Sequence, residues 1–409
     1  MRDPLEETQL QPRRTGLVAL GVVVALVAVG VVNPTALGTI GVLVGIILMI
    51  MLHEAGHYLT AKWSDMKVTE FFLGFGPRLL SVRKGETEYG VKAIPAGGYV
   101  RIIGMNNLEE VDPADEPRTF RSKPYRNRLM VAVAGSFTHF VMAILLLWLI
   151  FAALGVPNPD RPLPVVRALV KEEPAKLAGI EKNDRITAID GHRVDAWDDV
   201  PALVEPHAND EILITVERDG RLHDIAVTPR ARELKDGGAV GFLGIQPDVV
   251  VEKTPMRTAL SDAVTDTFGI AKESIKAVGS FFAPSNLSDY GKALTGQKKA
   301  EDENRFLSPV GATQVASQAV EEGLREVLTF LALINIFVGT LNMFPLPPLD
   351  GGHVAVATYE KVASMIKRRP VQVDMAKVMP VAAVVVMILL FIGLSALYLD
   401  IFQPVDVGF

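Results

Sequence analysis

Residues 37–63 read LGTIGVLVGIILMIMLHEAGHYLTAKW, an apolar stretch that ends in a cluster of ionisable side chains. A helix needs about 20 mostly apolar residues to cross the hydrocarbon core of a bilayer, and residues 37–52 contain no charged side chain. His53, Glu54 and His57 therefore arrive together at the end of a predicted membrane span. A charged residue inside a span costs about 2.5 to 3.5 kcal/mol on insertion scales and is a functional candidate by default.

The cluster HEAGH, residues 53–57, has the spacing of a zinc site. Histidines four positions apart share one helix face, so both can bind one zinc ion while the glutamate lies beside it. The competing interpretation is that these side chains lie at the membrane surface and reach water, but it does not account for the spacing. Because the sequence has no cysteine, any further ligand must be a histidine or a carboxylate.

A catalytic zinc ion takes three protein ligands and keeps one position open for water, so a third ligand must lie elsewhere. The candidates in or near predicted spans are Asp350, His353 and His139. Asp350 belongs to LNMFPLPPLDGGH, residues 341–353, whose prolines cannot continue a regular helix. Unwound backbone at membrane depth must be buried in protein or line a wet cavity, and a hydrolase needs such a cavity to admit water. We therefore favour Asp350 over His353 as the third ligand.

The chain as a whole is predicted to be a multi-pass membrane protein. It has 409 residues, 49% of them hydrophobic, and its net charge of −6 offers no basic field for nucleic acid. Residues 62–128 and 353–377 are rich in Lys and Arg, which predicts that both segments and the N-terminus are cytoplasmic and that residues 156–324 lie outside. The first span could be a cleaved signal peptide, but a second span follows at once, which favours retention. The five predicted spans are residues 16–32, 37–63, 129–154, 327–343 and 378–399.

The segments between the spans are predicted to be folded. Residues 71–77 and 87–103 mix β-branched, aromatic and glycine residues, which is typical of short strands and turns. In the outer segment we expect a small α/β module, then an amphipathic helix over residues 260–282 on the membrane surface or on the module, and a flexible loop over residues 283–304. The expected strands of the module are residues 163–170, 185–189, 211–217 and 223–228, with a short helix over 200–206.

Four motifs together resemble the bacterial site-2 protease family of intramembrane zinc metalloproteases. They are HEAGH (53–57), GFGP (74–77), GETEYGVKAIPAGGYVRIIGM (85–105) and LNMFPLPPLDGGH (341–353), and the resemblance covers nearly the whole chain. It implies one zinc ion, with Glu54 as the general base and a membrane-associated β-hairpin that presents a strand edge to an extended substrate. The implied zinc ligands are His53, His57 and Asp350, and the implied substrate-binding residues are Asn342, Pro345, Pro347, Gly97, Gly98 and Tyr99.

The same resemblance implies a location and a class of substrates. The protein would lie in the bacterial inner membrane and cut single-span membrane proteins, such as trimmed anti-sigma factors or remnant signal peptides, in regulated intramembrane proteolysis. Residues 174–180, 183–186 and 189–194 are similar to a PDZ domain, a module that binds peptides by strand addition. Such a domain could equally serve only as a steric gate. Residues 242–245 are a candidate for its carboxylate-binding loop.

The chain departs from the family in its predicted third span. Family members usually have Gly-Pro-x-x-Asn there, whereas residues 135–139 read GSFTH. His139 could form a hydrogen bond near the active site in place of the asparagine, or it could be satisfied within the helix bundle, and we favour the second interpretation. The additional first span is a second departure.

These observations predict a polytopic α-helical membrane protein with about five spanning helices, a cytoplasmic β-hairpin region and an extracytoplasmic PDZ-like α/β domain. Two other functions stay open, namely a different membrane zincin with a downstream glutamate as third ligand, and a catalytically silent receptor that binds peptides. The predicted segments are residues 1–36 (tail and first span), 37–63 (zinc-motif span), 64–128 (β region), 129–155 (span), 156–250 (PDZ-like domain), 251–325 (amphipathic helix and loop), 326–352 (span with the proline-rich segment), 353–377 (cytoplasmic connection) and 378–409 (last span and tail).

Overall fold

The computed structural model describes residues 33–105, 109–233, 238–299 and 305–405. These residues form two compact units, one made of the described residues up to Ile150 and from Met256 onward, the other of Phe151–Pro255. The helices are α1 (Pro34–Trp63), α2 (Tyr125–Leu149), α3 (Pro174–Leu177), α4 (Asp199–Val204), α5 (Met256–Phe281), α6 (Pro284–Leu294), α7 (Pro309–Glu322), α8 (Leu324–Asn342), α9 (Asp350–Lys367) and α10 (Met375–Phe402). The strands are β1 (Val68–Lys84), β2 (Thr87–Ile102), β3 (Val156–Leu169), β4 (Arg185–Ile189), β5 (His192–Arg193), β6 (Ile212–Arg218), β7 (Arg221–Val227), β8 (Arg230–Glu233), β9 (Ala239–Phe242) and β10 (Ile245–Glu252).

Four helices in the described part of the chain, α1, α2, α8 and α10, are long and apolar enough to cross a membrane. They coincide with the four spans predicted between residues 37 and 399, so each of those segments forms a helix that could cross a membrane; the span predicted over residues 16–32 lies outside the described residues. Asn33 begins α1, because its side-chain oxygen accepts a 3.0 Å hydrogen bond from the Ala36 N–H. Pro34 follows in the first turn, where a helix does not need its missing N–H.

β1 and β2 form a hairpin that folds back on itself into a sheet of four segments. Residues 70–73 pair with residues 98–101 on one side and with residues 88–91 on the other, and residues 88–91 pair in turn with residues 80–83. Among the described residues, 98–101 pair on one side only. This segment is therefore an edge of the small sheet.

The strands of this hairpin are longer than the sequence predicted. β1 has 17 residues and β2 has 16. The chain bends at Gly74 and Gly76, whose φ angles are 85° and 84°, and pairing resumes on the far side of the bend. Glycines of this kind look like strand ends in a sequence, although here they mark an irregularity within one ladder.

An ion-pair cluster fixes the turn of the hairpin to the end of α1. Arg118 donates to both carboxylate oxygens of Glu86, at 2.7 and 2.9 Å, and Lys62 of α1 donates to the same carboxylate. The Arg118 guanidinium, assisted by Lys62, lowers the pKa of Glu86 to about 2, against the smaller opposing effect of burial. The carboxylate is therefore ionised at neutral pH and holds the turn in place.

α5 is the amphipathic helix predicted over residues 260–282, and its small residues form the packed face. Small residues such as Ala259 and Ala263 are buried, and the helix packs on α2 and α8, whereas Leu260 and Phe268 are 46% and 58% exposed. We expected this helix on the membrane surface or on the outer module; the structure shows that it packs on two spanning helices. In a membrane, small residues let helix backbones approach closely while lipid surrounds large apolar side chains as well as protein does.

The prediction of a flexible loop over residues 283–304 is wrong for the first half of that segment, which forms α6. Tyr290 and Ala293 lie three positions apart and are buried in a cluster with Phe281 and Leu399. The Tyr290 hydroxyl also forms a 2.8 Å hydrogen bond with Ser395 of α10. α7 was not predicted, and α9 occupies more than half of residues 353–377, which were predicted to be a connection. Both helices were missed because one face of each is too polar for a membrane span.

A buried ion pair joins α10 to the start of α7. Asp400 of α10 is fully buried, its Oδ2 accepts a 2.7 Å hydrogen bond from the Ser308 N–H, and a guanidinium nitrogen of Arg305 lies 3.6 Å from its Oδ1. The Ser308 hydroxyl caps α7 by accepting from the N–H groups of Val310 and Gly311. Since α7 packs on α1, α10 fixes the start of a helix that supports α1.

The second unit is built on an antiparallel sheet with the strand order β10-β3-β4-β6-β7, with β5 paired to β4 and a separate β8–β9 ladder. The predicted strands coincide with or overlap β3, β4, β6 and β7, and the predicted helix overlaps α4. Alternate residues of the central strands, among them Ile186, Ile212 and Ile214, fill one hydrophobic core. The unit is thus a small α/β module, as its alternating apolar pattern predicted.

Candidate metal centre

His53 and His57 lie one turn apart on the inward face of α1, and both side chains are nearly buried. Their Nε2 atoms are 3.2 Å apart. Gly135 of α2 makes room for the two rings, because a Cβ atom at that position would lie 2.6 Å from Nδ1 of His53 and closer still to Nε2 of His57. Any larger residue at position 135 would displace one of the imidazoles.

Asp350 reaches the histidines through the break between α8 and α9. α8 ends at Asn342, residues 343–349 form a loop, and Asp350 is the first residue of α9. Gly351 and Gly352 lie directly against the backbone of this loop; a Cβ atom at Gly352 would lie 2.7 Å from the Pro347 nitrogen. The glycines therefore let the loop fold over the start of α9 and fix the position of the Asp350 carboxylate.

The three side chains have the spacing of ligands around one metal ion. Asp350 Oδ2 lies 3.4 Å from His53 Nε2 and 3.2 Å from His57 Nε2. Zinc bonds of about 2.0–2.1 Å at tetrahedral angles place ligand atoms about 3.3 Å apart. Within the described part of the chain these three residues are the group able to hold a metal ion.

Hydrogen bonding around these three side chains also favours a metal ion between them. His57 Nδ1 donates to the Val131 carbonyl at 2.7 Å; because a carbonyl can only accept, Nδ1 carries the hydrogen and Nε2 of the neutral ring presents a lone pair. Asp350 Oδ2 is buried and has no hydrogen-bond donor among the described residues. The lone pairs of His57 Nε2 and Asp350 Oδ2 therefore converge, and a cation between them would stabilise this arrangement, so the residues present fit a zinc ion.

The residues expected to act on the substrate belong to three elements near this centre, namely α1, the edge segment of the hairpin and the loop before Asp350. Glu54 is half-buried on α1, and Gly98 of the sheet edge packs against it, since a Cβ atom there would lie 3.0 Å from Glu54 Cγ. Asn342 is the last residue of α8, and Pro345 and Pro347 lie in the loop that leads to Asp350. The edge segment and the proline loop thus both approach the candidate centre.

Tyr99 differs from its neighbours in the edge segment. Its hydroxyl donates to Glu70 and accepts from Lys92 at 2.7 Å, and its ring stacks on Phe72 with the centroids 5.8 Å apart. The side chain is therefore committed to the sheet, and only the backbone of Tyr99 is available along the edge, beside Gly97 and Gly98.

The two uncertain histidines occupy different places. His353 does not belong to the group of His53, His57 and Asp350, and its ring lies 6.1 Å from that of Phe120. His139 is 2% exposed; its Nδ1 is 2.8 Å from Asn335 Oδ1, and its ring centroid is 4.9 Å from that of His53. Both interpretations of His139 hold in part, since it is satisfied within the bundle and also touches the site.

Sequence reasoning missed three residues that support the centre. Asn335 could have been found, because a polar residue inside a predicted span is itself a functional candidate. Gly135 lies in a run of small residues on α2, which is typical of close helix packing. Val131 acts through its backbone carbonyl, so its side chain gives no signal at all.

Comparison with known proteins agrees with this geometry. The model of peptidase family M50 matches residues 41–390. The chain is similar to the zinc metalloprotease Rip1 of Mycobacterium bovis, with 32% identity over 393 residues, and to that of Mycolicibacterium smegmatis, with 32% identity over 396 residues; each alignment covers 88% of this chain and 96% of the relative. A putative zinc metalloprotease of Brucella suis is 31% identical over 77% of this chain and 83% of its own. A solution structure from Geobacillus thermodenitrificans is 27% identical over 20% of this chain and 88% of its own, with a TM-score of 0.16.

Proposed function

Because the chain belongs to peptidase family M50 and is a zinc metalloprotease of the membrane, we propose that it is a site-2 protease. It would cut the membrane spans of single-span proteins. The observation that carries the proposal is the convergence of His53, His57 and Asp350 within a bundle of spanning helices. A receptor without catalytic activity would not need this set of ligand atoms. A zincin with a downstream glutamate would not bring Asp350 to the histidines.

We assign His53, His57 and Asp350 as the ligands of one zinc ion and Glu54 as the general base. Bound there, zinc would polarise the scissile carbonyl and make the attacking water more acidic. Glu54 takes the proton from that water and passes it to the amine that leaves. The Val131 carbonyl keeps His57 in the tautomer whose Nε2 faces the site.

A substrate helix must be opened before it can be cut, because its carbonyl groups are engaged in helical hydrogen bonds. The edge segment, residues 98–101, offers one open side of a strand beside Glu54. We assign to Gly97, Gly98 and Tyr99 the pairing of the opened segment as an added strand. Asn342, Pro345 and Pro347 would position it from the loop that carries Asp350. Trimmed anti-sigma factors and remnant signal peptides are substrates of the required kind.

We further propose that residues 156–250 form a PDZ-like domain that acts on substrates from outside the bilayer. The support is the six-stranded antiparallel sheet of the second unit and its PDZ-like sequence motifs. The sheet ends in β10 and β7, and residues 242–245 join β9 to β10. Peptide capture at such a sheet edge and exclusion of substrates with bulky outer portions are both compatible with this architecture.

The proposed orientation follows from the distribution of Lys and Arg and has a direct test. A reporter enzyme that works only outside the cytoplasm, inserted near residue 300, should be active, and the same reporter inserted near residue 115 should be silent. The two insertions form a matched pair within one chain. The reverse pattern would mean that the metal-bearing end of α1 faces the other side of the membrane.

The proposed function is tested by comparing the membrane proteins of cells that make the wild-type protein with those of cells that make Glu54→Gln. Single-span fragments should accumulate in cells with the variant, because trimmed substrates bind but are not cut. In wild-type cells the same fragments should be shortened within their spans. Identical membrane fractions, or differences confined to soluble proteins, would contradict intramembrane cleavage.

A further inference from the structure

A pair of polar side chains, His139 of α2 and Asn335 of α8, lies inside the bundle beside the metal centre. Their exposed fractions are 2% and 0%, and His139 Nδ1 lies 2.8 Å from Asn335 Oδ1. α2 and α8 approach closely here, because a Cβ atom at Gly339 would lie 2.9 Å from Cβ of His139. The pair therefore sits at a tight helix crossing from which water is excluded.

The direction of the hydrogen bond can be deduced. Asn335 Nδ2 donates to the Leu331 carbonyl at 2.9 Å, and a carbonyl can only accept. The amide oxygen of Asn335 therefore faces His139, so Nδ1 of His139 must carry a hydrogen and donate it. One tautomer and one ring orientation of His139 are thereby selected.

The two candidate ligand histidines are held in different ways. His57 has a hydrogen bond from Nδ1 to the Val131 carbonyl, the outer bond that a metal-binding imidazole normally has. Nδ1 of His53 makes no hydrogen bond within the described residues; the Gly135 carbonyl lies near it, but outside hydrogen-bond geometry. Besides the ring of His57, the ring of His139 lies against the His53 ring, with the centroids 4.9 Å apart and the planes inclined by 43°.

We propose that His139 and Asn335 form a positioning pair that holds the His53 imidazole so that its Nε2 faces Asp350. The proposal rests on the assignment of His53 as a metal ligand. Asn335 fixes the orientation of His139, and the fixed ring of His139 supports the ring of His53. Packing against an immobilised ring replaces the outer hydrogen bond that His57 has and His53 lacks.

The test uses the purified full-length protein in detergent, loaded with Co²⁺, whose visible absorption reports the geometry of its ligands. Asn335→Leu leaves His139 without its acceptor, and His139→Ala removes the supporting ring. Each variant should alter the cobalt spectrum and weaken metal binding by about 10- to 100-fold, as removal of an outer partner of a metal ligand does. The double variant should lose little more than the more affected single variant, because the two residues act as a unit.

Two further variants separate positioning from general stability. His139→Phe keeps a ring against His53 and should bind metal more tightly than His139→Ala. Tyr290→Phe removes a buried hydrogen bond to Ser395. Because α6 and α10 carry none of the candidate ligands, this variant should leave the cobalt spectrum unchanged. Folded Asn335→Leu and His139→Ala proteins with the wild-type spectrum and affinity would overturn the positioning pair but not the metal site. A wild-type protein that binds no cobalt would overturn both.

Discussion

Glu54→Gln is expected to stop peptide cleavage while zinc stays bound. The amide has the size of the carboxylate but cannot take a proton from water, and loss of a general base typically costs about 10²- to 10⁴-fold in rate. Glu54 is not part of the converging set formed by His53, His57 and Asp350, so the metal content should not change. Cleavage of a reconstituted single-span substrate and zinc per protein, both measured on the same preparation, check the two parts of the prediction.

A matched control is Glu273→Gln, the same substitution at an exposed residue of α5 whose carboxylate pairs with Lys276. It should cut at the wild-type rate. If Glu54→Gln also cut at that rate, another group would have to act as the base. If it lost its zinc, Glu54 would be needed for binding the metal rather than for activating water.

Asp350→Ala is expected to remove the metal as well as the activity. The substitution deletes the atom that lies 3.4 Å from His53 Nε2 and 3.2 Å from His57 Nε2, and two imidazoles alone do not complete a catalytic zinc site. The loss of affinity should exceed the about 10- to 100-fold that is usual for an outer partner. Competition with a chelator of known affinity measures it.

His353→Ala is the natural control, because His353 lies one turn along α9 from Asp350 and was the competing candidate for third ligand. Zinc binding by this variant should stay close to wild type. The opposite pattern, with full zinc occupancy in Asp350→Ala and none in His353→Ala, would move the third ligand to His353 and require a rearrangement of the start of α9.

The parts of the protein that follow local rules could be predicted from the sequence. The four described spans, the two histidines on one helix face and the break before Asp350 all come from patterns within about 30 residues. The spacing within HEAGH determines which face of α1 carries the two candidate metal ligands, wherever that helix lies. The proline-rich loop indicates where a helix must end and a carboxylate can enter the bundle.

The parts that depend on distant pairings could not be predicted. The residues near His139 in the sequence do not indicate that Asn335 is its partner. The residues near Val131 do not indicate that its carbonyl orients His57. The amphipathic pattern of α5 correctly predicted a helix, but it did not show that the helix packs on α2 and α8. In a membrane bundle the buried face is chosen by small size, so Ala259 and Ala263 face the other helices.

The link between α10 and α7 constrains the order in which the protein is assembled. Ser308 and Gly311 precede Asp400 in the chain, yet the carboxylate that satisfies the Ser308 N–H comes only with α10, the latest helix of the described chain to leave the ribosome. Until α10 has been inserted, the segment before α7 has neither its acceptor nor the counter-charge of Arg305. The support that α7 gives to α1 therefore waits for the insertion of α10, and a nascent chain that stalls before α10 lacks the contacts that fix the start of α7.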